Sequence, residues 1–114
     1  MDCDHYLRGI DLFNNAQFFQ AHEVLEDIWR AAPPEHKKFF QGLTQVAVAF
    51  HHYSTGNRVG MRSVLERARK NLAGYEENFA GIQLDSLLES LDGWRDALDK
   101  NLVCPALPRI DTSL

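Results

Sequence analysis

The sequence lacks several features that would place it outside the ordinary small globular proteins. It has only two cysteines, Cys3 and Cys104, which lie near opposite ends of the 114-residue chain. Cysteines so far apart predict neither a disulfide framework nor a zinc site. No apolar run approaches the roughly 20 residues that a membrane-spanning helix needs, and the polar first residues do not resemble a signal peptide. We therefore expect a cytoplasmic protein that does not interact with membranes.

Strand signals are also missing, because apolar and polar residues do not alternate over any length and no Asn-Gly hairpin occurs. Helical periodicity runs through most of the chain instead. Pro33 and Pro34 should end one helix, since proline lacks the amide proton, and Asn57 is well placed to cap another. The pattern predicts five helices, at about residues 4–14, 17–31, 35–54, 58–73 and 84–100. The expected fold class is all-α, with a single domain over residues 1–101 and an extended tail at 102–114.

An internal repeat indicates how these helices are arranged. Residues 13–26 align without gaps on residues 53–66, so that Ala16 matches Gly56. Each copy contains an aromatic residue at a helix end, a short turn and a second amphipathic helix. This pattern predicts antiparallel helix hairpins stacked as a short array of the tetratricopeptide kind. The hairpins would span about residues 4–31 and 35–73, and the helix at about 84–100 would cap the stack.

Charge is distributed unevenly along the chain. The net charge is −4, yet residues 58–70 carry +4 and the remainder −8. The overall sign does not favour nucleic acid as a partner, and a basic helix face is most often simply solvated. Arg58, Arg62 and Arg69 nevertheless share one arc of the fourth helix. Binding of an anion or RNA along the strip Arg58–Lys70 is therefore a minor alternative.

The most chemically distinctive stretch is Ala21-His22-Glu23-x-x-Glu26-x-x-Trp29 in the second helix. On a helical wheel His22 lies at the edge of the apolar face, and Glu26 follows one turn later. Glu23 lies further from the apolar face but still beside Glu26. A carboxylate next to an imidazole favours its charged form and fixes its tautomer.

The third helix carries a second polar feature. Apolar residues cover most of its circumference, as in a central buried helix, yet Gln41, Gln45 and His52 fall within about 40° of one another. Buried amides and imidazoles need hydrogen-bond partners. We therefore expect His22 and Glu26 to meet Gln45 and His52 in a buried cluster between the second and third helices.

Three interpretations of this cluster remain open. It can be a satisfied polar network that fixes how the helices pack. It can bind a divalent metal through His22, Glu26 and His52, since zinc accepts nitrogen and carboxylate oxygen, although the second histidine of the zinc-protease motif is missing. It can also serve acid–base catalysis by His22 with Glu23 or Glu26.

Together these motifs resemble a known family. The resemblance lies in Phe13-Asn14, Phe18-x-x-Ala21-His22-Glu23-x-Leu25-Glu26-x-x-Trp29, Phe40-x-Gly42-Leu43-x-Gln45-x-Ala47, His52 and Gly56-Asn57-x-x-Gly60. They are similar to the prokaryotic family called domain of unknown function 309, over about Gly9 to Leu72. The resemblance implies a compact helical fold related to tetratricopeptide arrays and implies no established activity. The signature positions it implies are His22, Glu23, Glu26, Trp29, Gln45, His52 and Asn57. Met61 departs from the family, which has a small residue there.

The function we expect is a small helical binding or scaffolding module. Its pocket would be lined by Trp29, Gln41, Gln45, His52 and Asn57, beside the His/Glu pair. The partner would be a protein or peptide, and pairing of two copies into a homodimer is a further alternative. The competing hypothesis is a hydrolase, with or without a divalent metal, that uses His22 with Glu23 or Glu26.

Overall fold

The computed structural model describes residues 2–113 and confirms the all-α prediction with five α-helices. They are α1 (Cys3–Asn14), α2 (Phe18–Ala31), α3 (Lys37–Ser54), α4 (Arg58–Leu72) and α5 (Leu84–Asp99). Two short 3₁₀ turns, Pro34–His36 and Phe79–Gly81, lie in the connections. The described residues form no strand beyond one isolated bridge between Ile82 and Thr112. Within the same range, no helix is both long and apolar enough to cross a membrane.

Each helix packs on the next one along the chain, and α3 lies between α2 and α4. The links at 15–17 and 55–57 are only three residues long, so the helices they join run antiparallel. Buried residues cover most of the circumference of α3, which is therefore the central helix, as its sequence predicts. The aromatic ring of Phe50, on α3, makes edge contacts with Phe13 on α1 and Trp94 on α5.

The two copies of the sequence repeat begin with the same backbone turn. Ala16 has φ of 61° and Gly56 has φ of 80°, both left-handed. In each copy the residue after it donates its amide back to the helix, from Gln17 to Leu12 O at 2.9 Å and from Asn57 to His52 O at 2.9 Å. This is the Schellman motif that commonly ends helices. The match seen in the sequence therefore corresponds to a repeated local structure.

The left-handed turns predict opposite effects for two substitutions. A left-handed conformation strains any residue with a Cβ atom by about 1–2 kcal/mol, partly offset by the greater flexibility of glycine in the unfolded chain. We expect Gly56→Ala to lower the free energy of unfolding by about 1 kcal/mol and Ala16→Gly to raise it by about 0.5 kcal/mol. Urea denaturation of both variants measures this, and equal signs would contradict it.

Residues 102–113 are extended and pack closely against the helices, while residue 114 of the predicted tail lies outside the described residues. The side chain of Asn14 forms two hydrogen bonds with the backbone of Ile110, accepting from its amide at 2.8 Å and donating to its carbonyl at 2.9 Å. Trp94 Nε1 donates to Ala106 O at 3.0 Å. Ile110 is only 1% exposed. The tail thus contributes to the same core as the helices.

Candidate functional site

The imidazole of His22 has an acceptor at each ring nitrogen. Its Nδ1 lies 3.1 Å from the carbonyl oxygen of Phe19, and its Nε2 lies 3.4 Å from Oε2 of Glu26. A ring nitrogen donates along its contact when it carries a proton. Glu26 is further held by Arg30, whose Nη2 lies 2.6 Å from Oε1. Each ring nitrogen of His22 thus faces an oxygen of its own helix.

An exposed aromatic side chain lies beside this pair. Phe19 is 49% exposed, and its ring centroid lies 5.5 Å from that of His22 and 5.5 Å from that of His51 on α3. The sequence interpretation missed both Phe19 and His51. The helical wheel contained a signal, because Phe19 falls about 60° from His22 and within about 20° of Glu26. An aromatic residue among polar neighbours on one helix face is typical of a binding surface.

His52 is oriented by Asn57, which caps α4 as predicted. Asn57 Oδ1 accepts from the amide of Gly60 at 2.9 Å, so the amide nitrogen of its side chain faces Nδ1 of His52 at 3.2 Å. Because the Asn57 nitrogen can only donate, Nδ1 of His52 must accept. This contact fits the tautomer of His52 that carries its proton on Nε2.

Gln45 also has its partner on α4, where Asn71 donates to Gln45 Oε1 at 2.8 Å. The expectation of one buried cluster of His22, Glu26, Gln45 and His52 needs correction on two counts. Gln45 and His52 bond to the α4 side, and all four side chains are only partly buried. The reason is that α3 lies between two neighbours, so its polar stripe remains open to solvent between α2 and α4.

The other predicted residues lie around this stripe. Gln41 is partly buried on α3, and Glu23 is exposed on α2. Trp29 packs partly buried against the core, and its carbonyl accepts from Lys37 at 3.2 Å.

Among residues 2–113, no three histidine, cysteine, aspartate or glutamate side chains form a group that could hold a metal ion. His22 and Glu26 therefore come together without His52 as a third ligand. We call Phe19, His22, Glu26, Gln45, His51 and His52 the polar face.

Two arginines of the basic strip on α4 are engaged with α5. Arg62 contacts both carboxylate oxygens of Asp99, at 2.7 and 3.1 Å. Arg69 does the same with Asp92, at 2.9 and 3.4 Å. The hydrogen bond from Arg62 holds the pKa of Asp99 below its usual value. Two of the three arginines considered for anion binding thus join helices, while Arg58 is exposed.

Comparison with known protein families identifies the family to which the chain belongs. The family described as "Domain of unknown function (DUF309)" matches residues 6–64, which is more than half of the chain. The chain belongs to this family. The DUF309 match contains most of α1 and all of α2 and α3, and therefore the whole polar face, whereas α5 and the tail lie outside it.

Two relatives come from prokaryotes. An "Uncharacterized protein" of Aquifex aeolicus is 33% identical over 81 residues, which make up 70% of this chain and 24% of the relative. "Uncharacterized protein YpuF" of Bacillus subtilis is 26% identical over 77 residues, which make up 67% of this chain and 44% of the relative. The chain thus spans less than half the length of either relative.

Proposed function

We propose that this chain is a cytoplasmic helical binding module, and that a segment of a partner protein docks on the polar face. The observation that carries the proposal is the half-exposed ring of Phe19, held against the imidazoles of His22 and His51. Aromatic residues, phenylalanine among them, are enriched in protein interfaces, where a few residues contribute most of the binding free energy. Stacked helix hairpins of the tetratricopeptide kind present comparable surfaces to peptides.

Hydrogen-bonding groups of the polar face, together with Arg30 beside Glu26, define the chemistry of the partner. His52 has its proton on Nε2, because Nδ1 accepts from Asn57. Arg30 is bound to Glu26, yet its side chain is 74% exposed and retains free N–H groups. Both offer donors, so the matching segment is one with an apolar side chain next to carbonyl or carboxylate acceptors.

The hydrolase alternative, which uses His22 with Glu23 or Glu26, has less support. The ring nitrogens of His22 face Phe19 O and Glu26 Oε2, whereas a general base needs a nitrogen that can reach the proton it removes. Metal assistance through His22, Glu26 and His52 is weakened by the same contacts, since a metal ion would have to displace them.

Selection of displayed random dodecapeptides on the wild-type protein tests the docking proposal. We expect selected peptides to lose about tenfold in affinity on Phe19→Ala and several-fold on His52→Ala, as for central interface residues. Val59→Ala removes an exposed apolar side chain from α4 and should leave affinity unchanged. Calorimetric titration measures the three variants, and thermal melts verify that they fold. Peptides that bind equally well to Phe19→Ala would contradict the proposal.

A further inference from the structure

A small cavity lies at the other end of α2 and shares no lining residue with the polar face. Its volume is about 220 Å³. The inner wall is apolar and includes the buried side chains of Ile28 and Phe40, with Ala31, Ala32 and Pro33 beside them. An apolar cavity of about 150 Å³ is large enough to hold benzene. This cavity therefore has room for one aromatic ring with a short side chain.

The rim of the cavity carries carboxylates. Asp2 and Asp27 line it together with His5 and His36, and Nε2 of His5 lies 3.2 Å from Oδ2 of Asp27. The Asp27 side chain is 63% exposed, so its carboxylate has accepting capacity beyond this one contact.

Two histidines, His5 and His36, are the basic side chains at this rim, and His5 faces Asp27. Within the part of the chain that the structure describes, neither arginine nor lysine lines the cavity. Lys37, which follows the first 3₁₀ turn, donates instead to the carbonyls of Trp29 and Arg30 at 3.2 and 3.1 Å. An apolar interior with a negatively charged rim is complementary to a ligand that has an apolar body and a cationic end.

We propose that this cavity binds a small organic amine, with an aromatic or branched aliphatic body and a protonated primary amino group. The body occupies the space against Ile28 and Phe40. The ammonium group lies at the rim, where it donates to the carboxylates of Asp27 and Asp2. The cavity is smaller than the roughly 300–1,000 Å³ of pockets for drug-sized ligands, which limits the body to about one ring. This site is independent of the docking proposed for the polar face.

Titration of the ¹⁵N-labelled protein with phenethylamine tests the proposal, with 3-phenylpropionate as the matched ligand of opposite charge. We expect phenethylamine to bind at least about tenfold more tightly, and to shift the amide signals of Ile28, Ala31 and Phe40. Equal affinity for the two ligands, or shifts confined to other parts of the protein, would overturn the assignment.

Three variants separate the contributions of shape and charge. Ala31→Phe places a ring at the exposed wall of the cavity and should abolish the shifts. Asp27→Asn should weaken phenethylamine binding about fivefold, because it removes one rim charge and keeps the shape. Glu89→Gln changes an exposed carboxylate on α5 and should leave binding unchanged. Binding that survives Ala31→Phe in a folded protein, or that is equally weakened by Glu89→Gln, would refute the proposal.

Discussion

Replacement of Gly42 by alanine is expected to destabilise the protein by about 2 kcal/mol, within the range for overpacked cores. Gly42 is buried on α3 where that helix crosses α4. A Cβ atom there would lie 2.7 Å from Cγ of Leu72 and 3.3 Å from the carbonyl oxygen of Ala68. Leu72 is itself fully buried, so it cannot move aside without disturbing the core. The helices must therefore separate or shift.

Gly93 provides the matched control for this prediction. It also lies inside a helix, on α5, but a Cβ atom there would meet nothing within 4 Å. Gly93→Ala should therefore stabilise the protein by about 0.5–1 kcal/mol, because alanine is the better helix former. Denaturant unfolding should give ΔΔG values of opposite sign for the two variants. Similar effects at both positions would show that close packing of α3 on α4 is not the reason for glycine at 42.

Ile110→Ala is the second change for which we expect a large effect, a loss of about 3 kcal/mol. Ile110 is almost fully buried, and its backbone is fixed by both polar atoms of the Asn14 side chain. Removal of its three carbon atoms beyond Cβ leaves a cavity that the surrounding helices can fill only in part. Global unfolding, followed by circular dichroism in urea, measures the loss.

Leu107→Ala is the comparison within the same tail, since Leu107 is 43% exposed. Substitutions at exposed positions usually change the free energy of unfolding by no more than about 0.5 kcal/mol. If both variants lowered the free energy of unfolding by no more than this small amount, the tail would not contribute to the cooperative core. A large effect of Leu107→Ala would instead indicate that the tail packs differently from the contacts described above.

Local signals in the sequence predict most of the helical framework. Proline at positions 33 and 34 ends α2 one turn before α3 begins, and Asn57 caps α4 through the amide of Gly60. These features depend on residues close together in the chain, so periodicity and capping rules are sufficient to find them. The repeat also predicts the shared turn, even though one copy has alanine where the other has glycine.

Contacts between residues that are far apart in the sequence could not be predicted from such local signals. The wheel placed Gln45 and His52 on one face of α3 but could not tell whether α2 or α4 would supply their partners. Ile110 lies between Pro108 and a polar end, in a segment without periodicity, and gave no sign of burial. Such pairings depend on how the helices pack in three dimensions, which a single sequence records only indirectly.

The turn that joins α1 to α2 and α3 to α4 occurs once more, at the end of α5. Asn101 has φ of 52°, and the amide of Leu102 donates to Ala97 O at 2.9 Å. At its first two occurrences this turn leads directly into another helix. After α5 it is followed within seven residues by Pro105 and Pro108, which cannot donate to a helix and favour extended backbone. Helix α5 thus ends in the same turn that elsewhere leads into another helix. The prolines instead direct the following residues along α1.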